Sequence, residues 1–194
     1  MANWCNLRLV ATGHAADLAP FRRAAGALRG RIDTSRSTVF TEEMEYGEGG
    51  DLETDGLERF DGDLRRASYR FQGRNDDHVD HFTDVSSRYP RLAFVLVVSD
   101  QSRDDNGSYL IRKGRRRFWG ISERMHQQLF TKHLRKWGVL PEDAVVDFHT
   151  IEWEDEYVDG AFWDAMFEEM DVSLAKWDRE VQKWLRALPQ PRRR

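Results

Sequence analysis

Apolar and polar residues alternate from Asn3 to Thr12, with Cys5, Leu7, Leu9 and Ala11 on one side and Trp4, Asn6 and Arg8 on the other. That period of two predicts a strand with one buried face, ended by Gly13. The period then changes. Between Ala16 and Leu28, residues Leu18, Phe21, Ala25 and Leu28 share one helical face, with Pro20 in the first turn and Gly30 as the stop. Thr38 to Tyr46 sets Val39, Thr41 and Glu43 against Phe40, Glu42 and Met44 and reads as a weak second strand. Gly47 to Asp63, rich in glycine and acid, reads as a long loop.

Ala67 to Gln72 predicts a further strand, and the short acceptors of Asn75, Asp76 and Asp77 predict a helix start. Val79, Phe82, Ser86 and Tyr89 form that helix's inner face before Pro90. The unbroken apolar run Leu92 to Val98 predicts a central strand, with Ser108 to Arg112 as its hairpin partner across the turn Ser99 to Gly107. Strand, helix, strand, strand, helix, strand, strand is the order of two split β-α-β units. The expected class is therefore α+β, a ferredoxin-like sandwich with helices on one face of an antiparallel sheet and an added C-terminal helical region.

Downstream, Ser122 caps a helix running through Trp137, with Ile121, Met125, Leu129 and Trp137 as its apolar positions and Gly138 as terminator. Ala144 to Trp153 alternates like a strand. Trp163, Phe167, Met170, Leu174, Trp177, Val181, Trp184 and Leu188 then recur at alternating spacings of four and three. Packing on the chain's own domain is the leading reading of this stripe, a coiled-coil or partner helix the second, and Asp171-Val172-Ser173 is a candidate break. The organisation read from these patterns is a core over residues 1–118 with an acidic loop at 47–63. A helix-strand-long helix extension over 119–194 packs on it.

The residues also carry a family resemblance. Met1-x-Asn3-Trp4-Cys5, Arg8-Leu9 and Gly13 resemble the opening of the YubB-type ferredoxin-like proteins, small proteins of phages and plasmids. Ser87-Arg88-Tyr89-Pro90-x-Leu92-x-Phe94 and Gly107-x-Tyr109 are similar to that family's helix-Pro-strand-hairpin segment, so the likeness covers residues 1–30 and 67–115. Leu7 stands where the family tends to have Asn. The resemblance implies a ferredoxin-like fold and a mobile-element origin, and it brings no catalytic residues.

Composition narrows the function. The 194 residues hold 30 Lys and Arg against 34 Asp and Glu, a net charge of −4, which excludes a polybasic nucleic-acid coat. No run reaches the roughly 18 to 20 apolar residues of a membrane span. The lone Cys5 supports no internal disulfide or cysteine zinc site and reads as a buried small residue, so a cytoplasmic setting is expected. The charge is unevenly spread: Glu42 to Asp63 carries −9 and Pro141 to Asp171 carries −12, leaving +17 elsewhere. That asymmetry points to charged partners.

Enzyme signatures are missing: no Gly-x-Ser-x-Gly, P-loop or dinucleotide fingerprint occurs, so no catalytic residue and no cofactor is assigned. His78 and His81 with Asp77, Asp80 and Asp84 have metal-like helical spacing, but solvated helix surface is the preferred reading. His126 and His133 share a face without a nearby acid. Asp100 to Gly107 lacks the twelve-residue calcium-loop pattern and reads as a turn.

Two binding surfaces remain. In the first, Asp147, Glu152, Trp153, Glu154, Asp155, Glu156, Tyr157, Asp159 and Trp163 form an acidic-aromatic region. Closely spaced carboxylates of this kind can imitate a phosphate row and engage a basic host or viral protein, including a nucleic-acid-binding complex. The leading expectation is a non-enzymatic protein of this type, for which an anti-CRISPR or anti-restriction inhibitor is one fitting description. The alternative is a nucleic-acid-binding module using Lys113, Arg115, Arg116, Arg117 and Trp119; Tyr69 and Phe71 on one strand are a candidate platform for it but are equally expected in the core, and no RNP-type signature is present. An edge strand and the heptad helix are also compatible with a homodimer.

Overall fold

The computed structural model describes residues 4–28, 31–41, 44, 53–74, 77–100, 106–141 and 156–189. The chain runs β1 (Trp4–His14), α1 (Ala15–Ala24), β2 (Ala27–Leu28), β3 (Arg31–Ile32), β4 (Glu53–Asp61), β5 (Leu64–Arg74) and α2 (Val79–Arg88). It continues through β6 (Ala93–Asp100), β7 (Gly107–Arg112), β8 (Arg115–Gly120), α3 (Glu123–Lys136) and α4 (Glu156–Arg186). All pairings are antiparallel, in the order β2-β3-β4-β5-β1-β6-β7-β8. The expected mixed α+β class holds at the level of an antiparallel sheet with helices. Position 118 lies inside β8, so the sheet continues two residues past the division read from the sequence.

Alternation in β1 sorts its side chains to two faces, and both are covered. Cys5, Leu7, Leu9 and Ala11 join Leu18 and Phe21 of α1 and Val79, Phe82 and Val85 of α2 in one apolar cluster. Phe21 sits edge-on to Tyr69, Tyr89 and Phe94, with ring centroids 5.7, 5.2 and 5.1 Å away. On the other face Val10, Ala93, Val95, Val97 and Leu110 meet Met170, Leu174, Trp177, Val181 and Leu185 of α4. The expected single buried face is thus corrected. Arg8, read as solvent-facing, lies under α4 and pairs with Asp171 at 2.9 Å. The continuous apolar run of β6 follows directly from this two-sided burial.

Three local readings change. The helix α1 ends at Ala24, and Gly26 at φ +69° is the stop in place of Gly30; a Cβ there would lie 2.6 Å from the Asp33 carbonyl oxygen. Thr38 to Phe40 is not a strand, because the Ser37 hydroxyl accepts from the N–H groups of Val39 and Phe40 at 3.1 and 2.7 Å and folds the segment into a turn. Val39 and Phe40 thereby plug the core, Phe40 packing on Tyr69, Phe71 and Phe82. Residues 53–61 of the supposed loop form β4, whose Glu53 and Glu58 stand opposite Arg70 and Arg66 of β5. Charged residues at these register positions, in place of apolar alternation, keep the strand from standing out in the sequence.

The Ser122 side chain accepts from Met125 N–H at 3.3 Å and starts α3, and Gly138 at φ +73° follows its end. The buried face of α3 is His126, Phe130, His133 and Leu134, one position round from the expected stripe. α4 is one unbroken helix of 31 residues through Asp171 to Ser173, about 46 Å long. Its later turns close the sheet, while Val158, Ala161 and Ala165 pack against Phe130 and Leu134 of α3. Phe167, inside the heptad stripe, is 57% exposed. The strand expected over Ala144 to Trp153 lies outside the described residues.

Candidate functional site

The basic run owes its arrangement to a tight hairpin. Lys113 and Gly114 occupy the turn between β7 and β8 with φ of +51° and +70°, the double left-handed geometry of a two-residue connection. Gly114 is required here, since a Cβ would meet the Ser87 hydroxyl at 2.5 Å, and its N–H donates to Ser86 Oγ at 2.8 Å. Strand alternation then divides the run. Arg115, Arg117 and Trp119 stand opposite Arg112, Leu110 and Ser108, on the face toward α4. Arg116 and Phe118 point to the opposite face, where Arg116 pairs with Asp80 of α2 and Phe118 packs 4.7 Å from Tyr109.

Arg112, Lys113, Arg115 and Arg117 surround a cavity of about 630 Å³, with Leu110, Arg116 and Trp184 completing its lining. Glu180 of α4 enters this cluster and accepts from Arg112 at 3.0 Å and from Arg117 at 2.8 Å. Counted together, those four cations and Glu180 give the cluster a formal charge of +3. Arg115 is exposed and makes no ion pair or hydrogen bond among the described residues. Arg112 Cζ and Lys113 Nζ lie 5.1 and 5.8 Å from the Trp184 ring centroid. The resulting groove is concave, cationic and walled by an indole, which suits an anionic ligand with a flat apolar part.

Trp119 does not belong to this groove as expected. It packs against the α4-side apolar cluster, with Lys176 Nζ 5.6 Å above its ring. Trp184, which the sequence concealed inside a regular core stripe, is the aromatic that lines the groove instead. Tyr69 and Phe71 fail as a platform: both lie at 1% exposure or less beneath α1 and α2. Burial also pushes the Tyr69 phenol well above its ordinary value of 10. Compared with protein-family models, with curated proteins and with solved structures, the chain matches none.

The acidic-aromatic surface divides differently. Asp147, Glu152, Trp153, Glu154 and Asp155 lie outside the described residues, as do the side chains of Glu156 and Asp159 in the first turns of α4. Tyr157 is 50% exposed with its ring 6.1 Å from Trp137, and Trp163 is half-buried between Phe162 and Phe167. Further along the acidic stretch the carboxylates are engaged within the fold. Asp164 accepts from Lys136 at 2.8 Å and Trp137 Nε1 at 3.1 Å, Glu168 from Lys132 at 2.7 Å, and Asp171 from Arg8. The Lys132 ammonium holds the Glu168 carboxyl below its ordinary value, and Lys136 does the same for Asp164.

His126 and His133 do have acids beside them, supplied by α4. His126 Nδ1 meets Glu169, buried at 2% exposure, and His133 Nε2 lies 2.8 Å from Glu168. These pairs fasten α3 to α4. His81 Nε2 donates to the Val39 carbonyl at 2.7 Å, Asp77 accepts from Val79 N–H, and among the described residues no group of three or more potential ligands could hold a metal ion. Cys5 is buried, and none of the described helices is long and apolar enough to cross a membrane.

Proposed function

We propose that this chain is a non-enzymatic binding protein that takes nucleic acid in the cationic groove between β8 and α4. The observation that carries the reading is the cavity where Arg112, Lys113, Arg115 and Arg117 converge, with the Glu180 carboxylate bonded to Arg112 and Arg117. Phosphate oxygens would replace bulk anions at Lys113 and Arg115, so affinity should fall as salt rises. Anisotropy titrations of a labelled oligonucleotide test this. The variant K113E/R115E should bind at least about tenfold more weakly, whereas Arg23→Glu, exposed on α1, should bind as the parent does. Equal losses in both variants, or none in either, would refute the groove.

The scaffold reading is ferredoxin-like. It is supported by the neighbour order β4-β5-β1-β6 and by α1 and α2 sharing one apolar cluster with that part of the sheet. The opening residues and the helix-Pro-strand-hairpin segment are the support for placing the chain among YubB-type phage or plasmid proteins, acting in the cytoplasm.

A second reading, capture of a basic protein partner in an anti-defence role, is favoured by the exposure of Tyr157 and Phe167 on the α3-bearing end of α4. The internal pairing of Asp164, Glu168 and Asp171 weakens it, because those carboxylates already have cations.

A further inference from the structure

The groove contains more than charge, and its indole wall refines the nucleic-acid reading, on which this inference rests. Trp184 presents an indole to the cavity while packing against the apolar cluster that holds Val181 and Leu185, so the ring has firm support. Lys113 is exposed at the hairpin turn, its ammonium 5.8 Å from that ring's centroid, and its side chain makes no hydrogen bond or ion pair among the described residues. Its long, flexible stem lets the ammonium swing off the indole without breaking another bond. Arg115 lies across the turn from Arg112 and is likewise unengaged among the described residues. A supported π-face with two movable cations beside it fits a stacked base flanked by phosphates.

Duplex DNA does not offer such a base, because its faces are already stacked on their neighbours. Unpaired nucleotides expose theirs, and base–indole stacking is the stronger contact than a solvent-exposed lysine over the same ring. Arg112 and Arg117, held by Glu180, form the fixed wall of the groove.

We propose that the groove binds single-stranded nucleic acid, with an unpaired base stacked on Trp184 and the adjoining phosphates on Lys113 and Arg115.

Competition anisotropy on the full chain tests the assignment, using a labelled oligothymidylate of about eight nucleotides. Its unlabelled form, the matching oligouridylate, a duplex of equal length and inorganic polyphosphate of matched charge are the competitors. Polyphosphate and duplex should compete at least roughly tenfold less well than either single strand. Trp184→Leu should weaken oligothymidylate binding roughly tenfold and leave polyphosphate binding unchanged, while Trp184→Phe, which keeps a ring, should retain most of the affinity. Because the Phe variant and the polyphosphate arm both report an intact groove, a loss confined to Leu is loss of stacking and not of fold. Polyphosphate and duplex binding as tightly as single strands, with no response to Trp184, would overturn the single-strand assignment and leave a general polyanion site. Absence of binding by every anion at low salt would overturn both readings.

Discussion

The two faces of the sheet are closed by different means. Under α1 and α2 the seal is aromatic and dry: Phe21, Phe40, Tyr69, Phe71, Phe82 and Phe94 are all at 1% exposure or less. Under α4 the apolar strip is narrower and has an ionic rim. Arg8, Arg66, Arg112, Arg117 and Arg186 reach Asp171, Asp178, Glu180 and Asp61 along it. A single amphipathic helix covers less of a sheet than two helices and an inserted turn, so charged side chains span the remainder. The difference teaches where a ligand can enter. A dry aromatic face admits nothing, whereas an ionic rim brings exposed cations such as Lys113 and Arg115 within reach of an external anion.

The sharpest way to break this contrast is in the dry face. Phe21→Ala removes a ring that meets three other aromatics and should cost about 3–5 kcal/mol in denaturant unfolding. Anion binding by the fraction that remains folded should be unchanged. A loss below about 1 kcal/mol would mean that this face is not the main seal.

A smaller effect is expected where α3 meets α4. Glu168 and Asp164 have folded-state values depressed below the ordinary 4.5 and 3.8, chiefly by hydrogen bonds from Lys132 and Lys136. Their contribution is therefore complete above those ordinary values and is lost as pH falls through the lower folded ones. All four side chains are about one-third exposed or more, so each pair supplies under about 1 kcal/mol. Hydrogen exchange should show α3 amides losing protection below pH 4.5 before those of β1 and β6 do. Simultaneous loss in all three would contradict this local fastening.

Legibility followed the same division. Strands and helices of the dry face could be read from Leu7, Leu9, Phe82 and the run Leu92 to Val98, because burial there is apolar and periodic. β4 was hidden by its own acids, which stand opposite arginines of β5 instead of alternating with apolar residues. The basic run is plain in the sequence, but not that β8 sends Arg116 to one face and Arg115 and Arg117 to the other. Nor does the heptad stripe distinguish Trp177, whose indole donates to Ser108 in the core at 2.8 Å, from Trp184 at the groove. His126 and His133 read as isolated because their acids, Glu169 and Glu168, come from a helix far along the chain.

Glu180 gives the most direct test of the central claim, that the α4 rim is an anion site held partly neutral by its own carboxylate. Salt-dependent titration of single-stranded oligonucleotide should show Glu180→Gln binding more tightly than the parent, by roughly fivefold to tenfold at low salt. Freed cations at Arg112 and Arg117 should also steepen the logarithmic salt dependence, by about 0.7 for each added phosphate contact. Gained affinity cannot arise from a damaged fold, even though loss of the two ion pairs should lower stability slightly. Unchanged or weaker binding, with the same salt dependence as the parent, would contradict the account.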